Sequence, residues 1–268
     1  MSSSDRPIGD AEEVWSQTSK WRPVQLEILK IKVEDGVVVD MGNIDQTPLY
    51  VDVERILLSN IDVSSAVDPD LIPDFQLPFF NRLVQLAMFR DEPPVDSIAH
   101  DLLTFTGFEA RKLHFRPKPH IEMEWQGHEI SSEPDYGVYS ERSRRLPNVE
   151  YFVVVEDKPE KRRLYGGGEC QLCGEMLVAA IDRYQNIKKD HIMYGMIIRG
   201  PFVRLYRCSF TNEYLSDLAR DKKPTSYIIV RRYPSENELP LSLNDKEQRK
   251  KAIQLLTRIK IDLESIVF

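Results

Sequence analysis

The sequence predicts an α/β protein whose main domain is a mixed sheet flanked by helices, preceded by a small β-rich N-terminal module. Three observations carry that prediction. Tyr151 to Lys158 (Tyr-Phe-Val-Val-Val-Glu-Asp-Lys) is an apolar run rich in β-branched residues, the composition of a strand buried in a sheet. Between residues 93 and 210, helical and extended patterns follow one another as helix, strand, strand, helix, strand, an order that points to α/β layering rather than an all-α or all-β core. Ahead of both, Val24 to Val33 largely alternates and runs through Asp35-Gly36 into Val37 to Met41, the pattern of a strand, a tight turn and a second strand.

Composition narrows the classes. With 268 residues, 41% of them hydrophobic and 29% charged, the chain can bury a full core as one large or two small domains. Its formal net charge of −7 does not advertise nucleic-acid binding, so a surface that holds a phosphate backbone must be a local patch. Three cysteines, an odd number, and the lack of a long apolar run argue against secretion and against a membrane span. An intracellular setting is expected.

The elements follow in order. Residues 1 to 20 open polar, from Met1 to Pro7, and no regular element is expected at that start. After the 24–41 pattern, residues 48 to 64 hold a further strand pattern and a short helix. Pro69, Pro73 and Pro78 then interrupt regular structure, because each lacks a backbone donor and fixes φ. The expected division is therefore an N-terminal module with its linker over residues 1–78 and a main domain over 79–268. The module reads either as a packing appendage or as a surface for a protein partner or for DNA. Phe79 to Phe89 has helical period, with Phe80, Leu83, Val84, Ala87 and Met88 on one side. Pro93-Pro94 suits the first turn of a second helix that reaches a glycine stop at Gly107. Arg111 to Phe115 and His120 to Trp125 are strand candidates, and Gly127 to Ser131 leads into Glu133-Pro134-Asp135. A helix follows from Glu169 to Ile181. Met193 to Ile198, a turn at Arg199-Gly200-Pro201, and Phe202 to Tyr206 form a hairpin. Tyr227 to Val230 is one more strand, and Asp245 to Ile266 a long amphipathic helix with a basic start.

The chemistry concentrates in the middle of the chain. Side chains two apart in a strand share a face, so Glu156 and Lys158 stand together at the end of the valine run. An ionisable pair at the rim of an apolar sheet is costly unless it is matched or serves a purpose. Asp135, after Pro134, adds a third ionisable group on a segment placed to pair beside them. Gln171 and Glu175 lie one turn apart on the helix that follows.

Pro134-Asp135, then Glu156-x-Lys158, then a helix carrying Gln171 resembles the PD-(D/E)XK nuclease superfamily over roughly residues 93 to 210. The resemblance implies a restriction-endonuclease-like core and a metal-dependent nuclease, an endonuclease or exonuclease that hydrolyses phosphodiester bonds in DNA ahead of RNA. Members of this fold that have lost activity act as nucleic-acid- or protein-binding modules, which is the alternative. It further implies that Asp135 and Glu156 hold Mg2+ or Mn2+, that Lys158 serves catalysis, and that Gln171 faces the metal site. An acid from the preceding helix joins the metal set: the spacing ahead of Gly107 favours Asp96, whereas the apolar stripe of Ile98, Leu102 and Phe105 is flanked more closely by Asp101. Glu175 stands where some branches carry a tyrosine. Val155 to Lys158 and the helix from Gly168 to Glu175 are also similar to nuclease-like domains of Crinkler-type eukaryotic effectors, which would imply a nuclear setting.

The donor types agree with that chemistry. Magnesium is a hard cation often held by one or two carboxylates, with water and substrate phosphate completing its shell. A lysine among carboxylates has a tunable pKa and suits proton transfer or charge stabilisation. Two basic runs, Arg142-Ser-Arg144-Arg145 and Lys161-Arg162-Arg163, are candidate phosphate contacts. Gly166-Gly167-Gly168 lacks the lysine and hydroxyl of a phosphate-binding loop. Cys170 and Cys173 make one CxxC pair, with only Cys208 and scattered histidines to complete a zinc site, so they are expected to pack.

Overall fold

The computed structural model of the chain describes residues 17–39, 44, 63, 77–89, 93–109, 113–141, 149–158 and 168–267. Among these the strands are β1 (Ile31–Asp35), β2 (His114–Pro117), β3 (Ile121–Trp125), β4 (His128–Ser132), β5 (Tyr136–Glu141), β6 (Val149–Lys158), β7 (His191–Arg199), β8 (Phe202–Phe210), β9 (Ile228–Tyr233) and β10 (Leu241–Ser242). The α-helices are α1 (Pro23–Ile28), α2 (Leu77–Phe89), α3 (Pro93–Phe105), α4 (Glu169–Asn186), α5 (Asn212–Leu218) and α6 (Lys246–Val267).

A mixed sheet runs β1-β9-β8-β7-β6-β5-β2, with β10 beside β8. β6 and β7 are parallel, joined through α4, and β1 is parallel to β9; β5–β6, β7–β8 and β8–β9 are antiparallel. A helix connecting two parallel neighbours is the connection such strands require. Each face of the sheet carries its own apolar layer. On one side α2, α3 and α6 contribute Phe80, Leu83, Ile98, Leu102, Ile253 and Leu256. On the other, α1, α4, α5 and the β3–β4 hairpin contribute Leu26, Leu172, Met176, Leu215, Met123 and Trp125.

One irregularity decides which way the middle strand points. Val138 pairs with Val153 but Tyr139 pairs with Tyr151, so Phe152 is a bulged extra residue in β6. Phe152 and Val153 consequently enter the same layer, and beyond the bulge Val155 faces α3 while Val154 faces α4. Alternation then carries Glu156 to the α4 face.

The N-terminal region departs from the sequence expectation. Residues 24–33 do not form a strand that turns at Gly36. Pro23 occupies the first turn of α1, and the Arg22 N–H donates to the Gln25 side chain at 2.7 Å, so a capped helix wins over the alternating pattern. β1 follows, but instead of folding into a hairpin it pairs with β9 near the other end of the chain. Trp21 packs over Gly174 of α4, Val38 and Val39 are buried, and the Val63 N–H donates to the Asn244 carbonyl at 2.9 Å. The described residues before 78 thus contribute to the main sheet and its two layers. Pro78 sits inside the first turn of α2. The elements expected over 48–64 and the prolines at 69 and 73 lie outside the described residues, Val63 excepted.

Two further differences are local. His120 to Trp125, a strand candidate, yields β3, which among the described residues pairs with β4 in a hairpin outside the main sheet. Its turn, Gln126-Gly127, has φ of 51° and 76°, which suits a two-residue hairpin turn and is a signal present in the sequence. α5 was not anticipated, although Thr211 accepts from the Tyr214 N–H at 3.2 Å as a helix-capping hydroxyl.

His191, at the start of β7, makes folding pH-dependent. It is buried; its Nε2 donates to the Ile187 carbonyl at 2.9 Å, and Nδ1 has no hydrogen-bond partner. Burial first, and then the Arg183 charge, lower its pKa from 6.5 to about 4. The unfolded chain therefore binds a proton that the folded chain refuses as pH falls through this window. Stability is full above pH 6.5 and declines from there towards pH 4. Thermal melts across that range are expected to show the fall, and His191→Phe, which keeps the ring, to flatten it.

Candidate functional site

The parallel pair β6–β7 and the first turn of α4 meet at one rim of the sheet. Carboxyl ends of parallel strands beside the start of the connecting helix are where open α/β sheets take ligands. β5 arrives at the same rim from the other direction. Tyr136, its first residue, pairs with Val155, so Asp135 comes opposite Glu156 when the antiparallel register continues by one residue. Tyr136 and Val138 point into the α3 layer, which puts Asp135 on the α4 face with Glu156. Asp135 is half-buried, and its carbonyl accepts from the Lys118 N–H at 3.0 Å. Glu156 is 1% exposed.

α4 covers this pair. Arg183 bonds Glu150 of β6 at 3.2 Å. A helix rises about 1.5 Å per residue and a strand about 3.3 Å, so the step back from Arg183 to Gln171, about 18 Å, matches the step forward along β6 from Glu150 to Glu156. Gln171 is thereby level with Glu156. Its Nε2 donates to Glu175 Oε1 at 2.9 Å, and Glu175 is fully buried. Glu175 is thus an inward-facing acid that orients Gln171.

The upstream acids separate clearly. Arg82 Nε donates to Asp101 Oδ2 at 3.0 Å, Nη2 of the same guanidinium pairs with that carboxylate, and burial pushes the Asp101 carboxyl up against the pull of Arg82. Asp101 fastens α3 to α2. Asp96 lies in the first turn of α3, half-buried, and its carbonyl accepts from the Tyr136 hydroxyl at 3.2 Å. It approaches the Asp135 end of the rim from the opposite face of the sheet. Among the described residues no group of three His, Cys, Asp or Glu side chains is gathered as a metal cage.

Lys158 closes β6 and pairs in register with Arg199 of β7; its side chain lies outside the described residues, as do the basic runs 142–145 and 161–163 and Gly166-Gly167. Gly168 takes a φ of 95° as the residue before α4, a conformation glycine adopts at no steric cost. Cys173 and Cys208 are buried and their thiols are pushed up by burial, and no disulfide joins the three cysteines. Cys173 and Cys208 lie in the α4-side layer, and Cys170 packs half-buried against it.

Sequence reading missed the arginines of this rim. Ile197 lies between Glu156 and Arg204 in register, and Arg199 stands beside Lys158. Arg199 and Arg204 are both buried, on the same face as Glu156, and Arg204 Nη2 donates to the Ser235 and Glu238 carbonyls at 3.3 and 2.8 Å. They form a local cationic row inside an acidic protein. Farther along, buried Arg232 donates to Glu169 at 3.0 and 3.3 Å, to Asp35 at 3.0 and 2.9 Å and to Glu236 at 3.0 Å, while the Tyr206 hydroxyl donates to Glu169 at 3.1 Å. Burial alone would disfavour the guanidinium charge, but these carboxylates hold it firmly protonated. The hub ties the first residue of α4 to β8, β9 and β1. No family model matches the sequence, and no curated protein matches it.

Proposed function

We propose that this chain is a metal-dependent nuclease on a restriction-endonuclease-like core, hydrolysing phosphodiester bonds in DNA ahead of RNA. The observation that carries the reading is the register that sets Asp135 opposite Glu156 on the face covered by the start of α4. Two facing carboxylates suit a hard cation that needs only one or two of them. Asp135 and Glu156 would hold Mg2+ or Mn2+, with Asp96 as the further acid. Such an ion, when bound, supplies an activated water and neutralises charge on the phosphate. Lys158 would orient that water or take its proton, and stabilise the departing oxygen's charge. Gln171, oriented by Glu175, would hold the water from the helix side. Arg199 and Arg204 would draw the phosphate backbone to the rim.

The second reading is a catalytically inactive protein of the same fold that binds nucleic acid or another protein. It is favoured by the near-complete burial of Glu156 and by the net charge of −7. Incubation with plasmid, single-stranded DNA and RNA, in Mg2+ or Mn2+ against EDTA, separates the two. Cutting that requires the ion is the expected result. Intact substrates under every condition, with a folded protein, would overturn the nuclease reading.

A further inference from the structure

β1 is one edge of the sheet, and among the described residues no strand lies on its outer side. The Ile228 N–H donates to the Lys30 carbonyl and the Gly36 N–H to the Arg232 carbonyl, each at 3.0 Å. In a parallel ladder the inward-facing residues alternate, so Lys30, Lys32, Glu34 and Gly36 turn their backbone groups to β9. Ile31, Val33 and Asp35 turn theirs outward. Such an edge is a template for another strand.

The order of side chains on β1 is self-complementary. Its residues are Ile31-Lys32-Val33-Glu34-Asp35. When a second copy lies antiparallel to it about Val33, Val33 meets Val33, Ile31 meets Asp35, and Lys32 meets Glu34, twice over. The outward residues Ile31, Val33 and Asp35 then fall at the hydrogen-bonded positions. Lys32 and Glu34 fall at the intervening positions, where side chains approach most closely, with opposite charges directly across. A lysine that deters a neutral strand at this edge is matched only by a strand with glutamate in that register.

The surface around β1 fits coverage by such a partner. Three of the four exposed large hydrophobic side chains among the described residues, Val37, Tyr227 and Ile229, sit on or beside β1 and β9. Lys32 lies over the Tyr227 ring at 4.2 Å and Glu34 accepts from Arg231 at 2.8 Å, so both charges already stand on the exposed face of the edge. We propose that two copies of this chain associate through β1, antiparallel about Val33, making one continuous sheet across a two-fold axis. The contact is isologous, so it closes at a dimer. Because β1 runs parallel to β6, the two candidate sites open on opposite rims of the joined sheet, and each works alone.

Sedimentation equilibrium of the full chain tests this, up to about 200 µM because a contact of this size binds weakly. The wild type is expected to show a monomer–dimer equilibrium. Lys32→Glu and Glu34→Lys each set like charges across the axis and should raise the dimer Kd about tenfold or more. The double variant Lys32→Glu/Glu34→Lys should restore it, although it loses the Tyr227 and Arg231 contacts within the chain. Val33→Pro, placed where the N–H points outward and the ladder to β9 is kept, should give a monomer that stays folded by circular dichroism. A wild type that stays monomeric throughout, a dimer indifferent to all four variants, or a double variant no better than the single ones would overturn the proposal.

Discussion

Replacing Glu156 with glutamine should lower metal-dependent cleavage about a hundredfold or more, since on the proposed reading it would remove one of two anionic ligands from the ion. The fold should survive. Glutamine has the shape of glutamate, and an amide is less costly than a carboxylate at a position 1% exposed. Lys158→Ala should lower the rate about 10²–10⁴-fold, the range for a lost general acid or base, and leave ion binding intact. The two variants therefore differ in kind: one fails to hold the ion, the other holds it and turns over slowly. Rates measured against ion concentration distinguish them. Equal loss of ion binding in both, or activity retained by Glu156→Gln, would remove the assigned roles.

Trp21→Ala should cost about 3–5 kcal/mol, the range for deleting a large buried aromatic side chain, and lower the melting temperature by roughly 10 °C. Trp21 is buried against Gly174, where an added Cβ would come within 2.7 Å of the indole. The loss should appear in one transition, because the segment around Trp21 packs on α4 and β1 belongs to the main sheet. Calorimetry showing two transitions, with only one moved by Trp21→Ala, would mean that the N-terminal segment folds as a unit of its own.

These two tests fall on opposite sides of what local sequence reveals. The valine run of β6, the Gly200-Pro201 turn between β7 and β8, and the apolar periods of α2, α3, α4 and α6 are local patterns, and each emerges near its expected bounds. The N-terminal segment misleads because alternation over 24–33 competes with Pro23 and the Arg22–Gln25 box, and capping prevails. No local pattern announces that β1 will lie beside β9, since parallel pairing across most of the chain leaves no turn to read. The bulge at Phe152 is also silent in the sequence, yet it sets which layer Glu156 faces. Arg199, Arg204 and Arg232 come from three strands and converge only through the register of the sheet. A sequence reading finds the acids, which sit in a recognisable order, more readily than the cations, which do not.

The carboxylate pair is the centre of this account, and calorimetric titration with Mn2+ of the wild type, Asp135→Asn and Glu156→Gln tests it most directly. The account predicts saturable binding of one ion to the wild type and its loss in both variants, with circular dichroism unchanged. Binding that persists in both variants, or a wild type that binds no ion while folded, would contradict it.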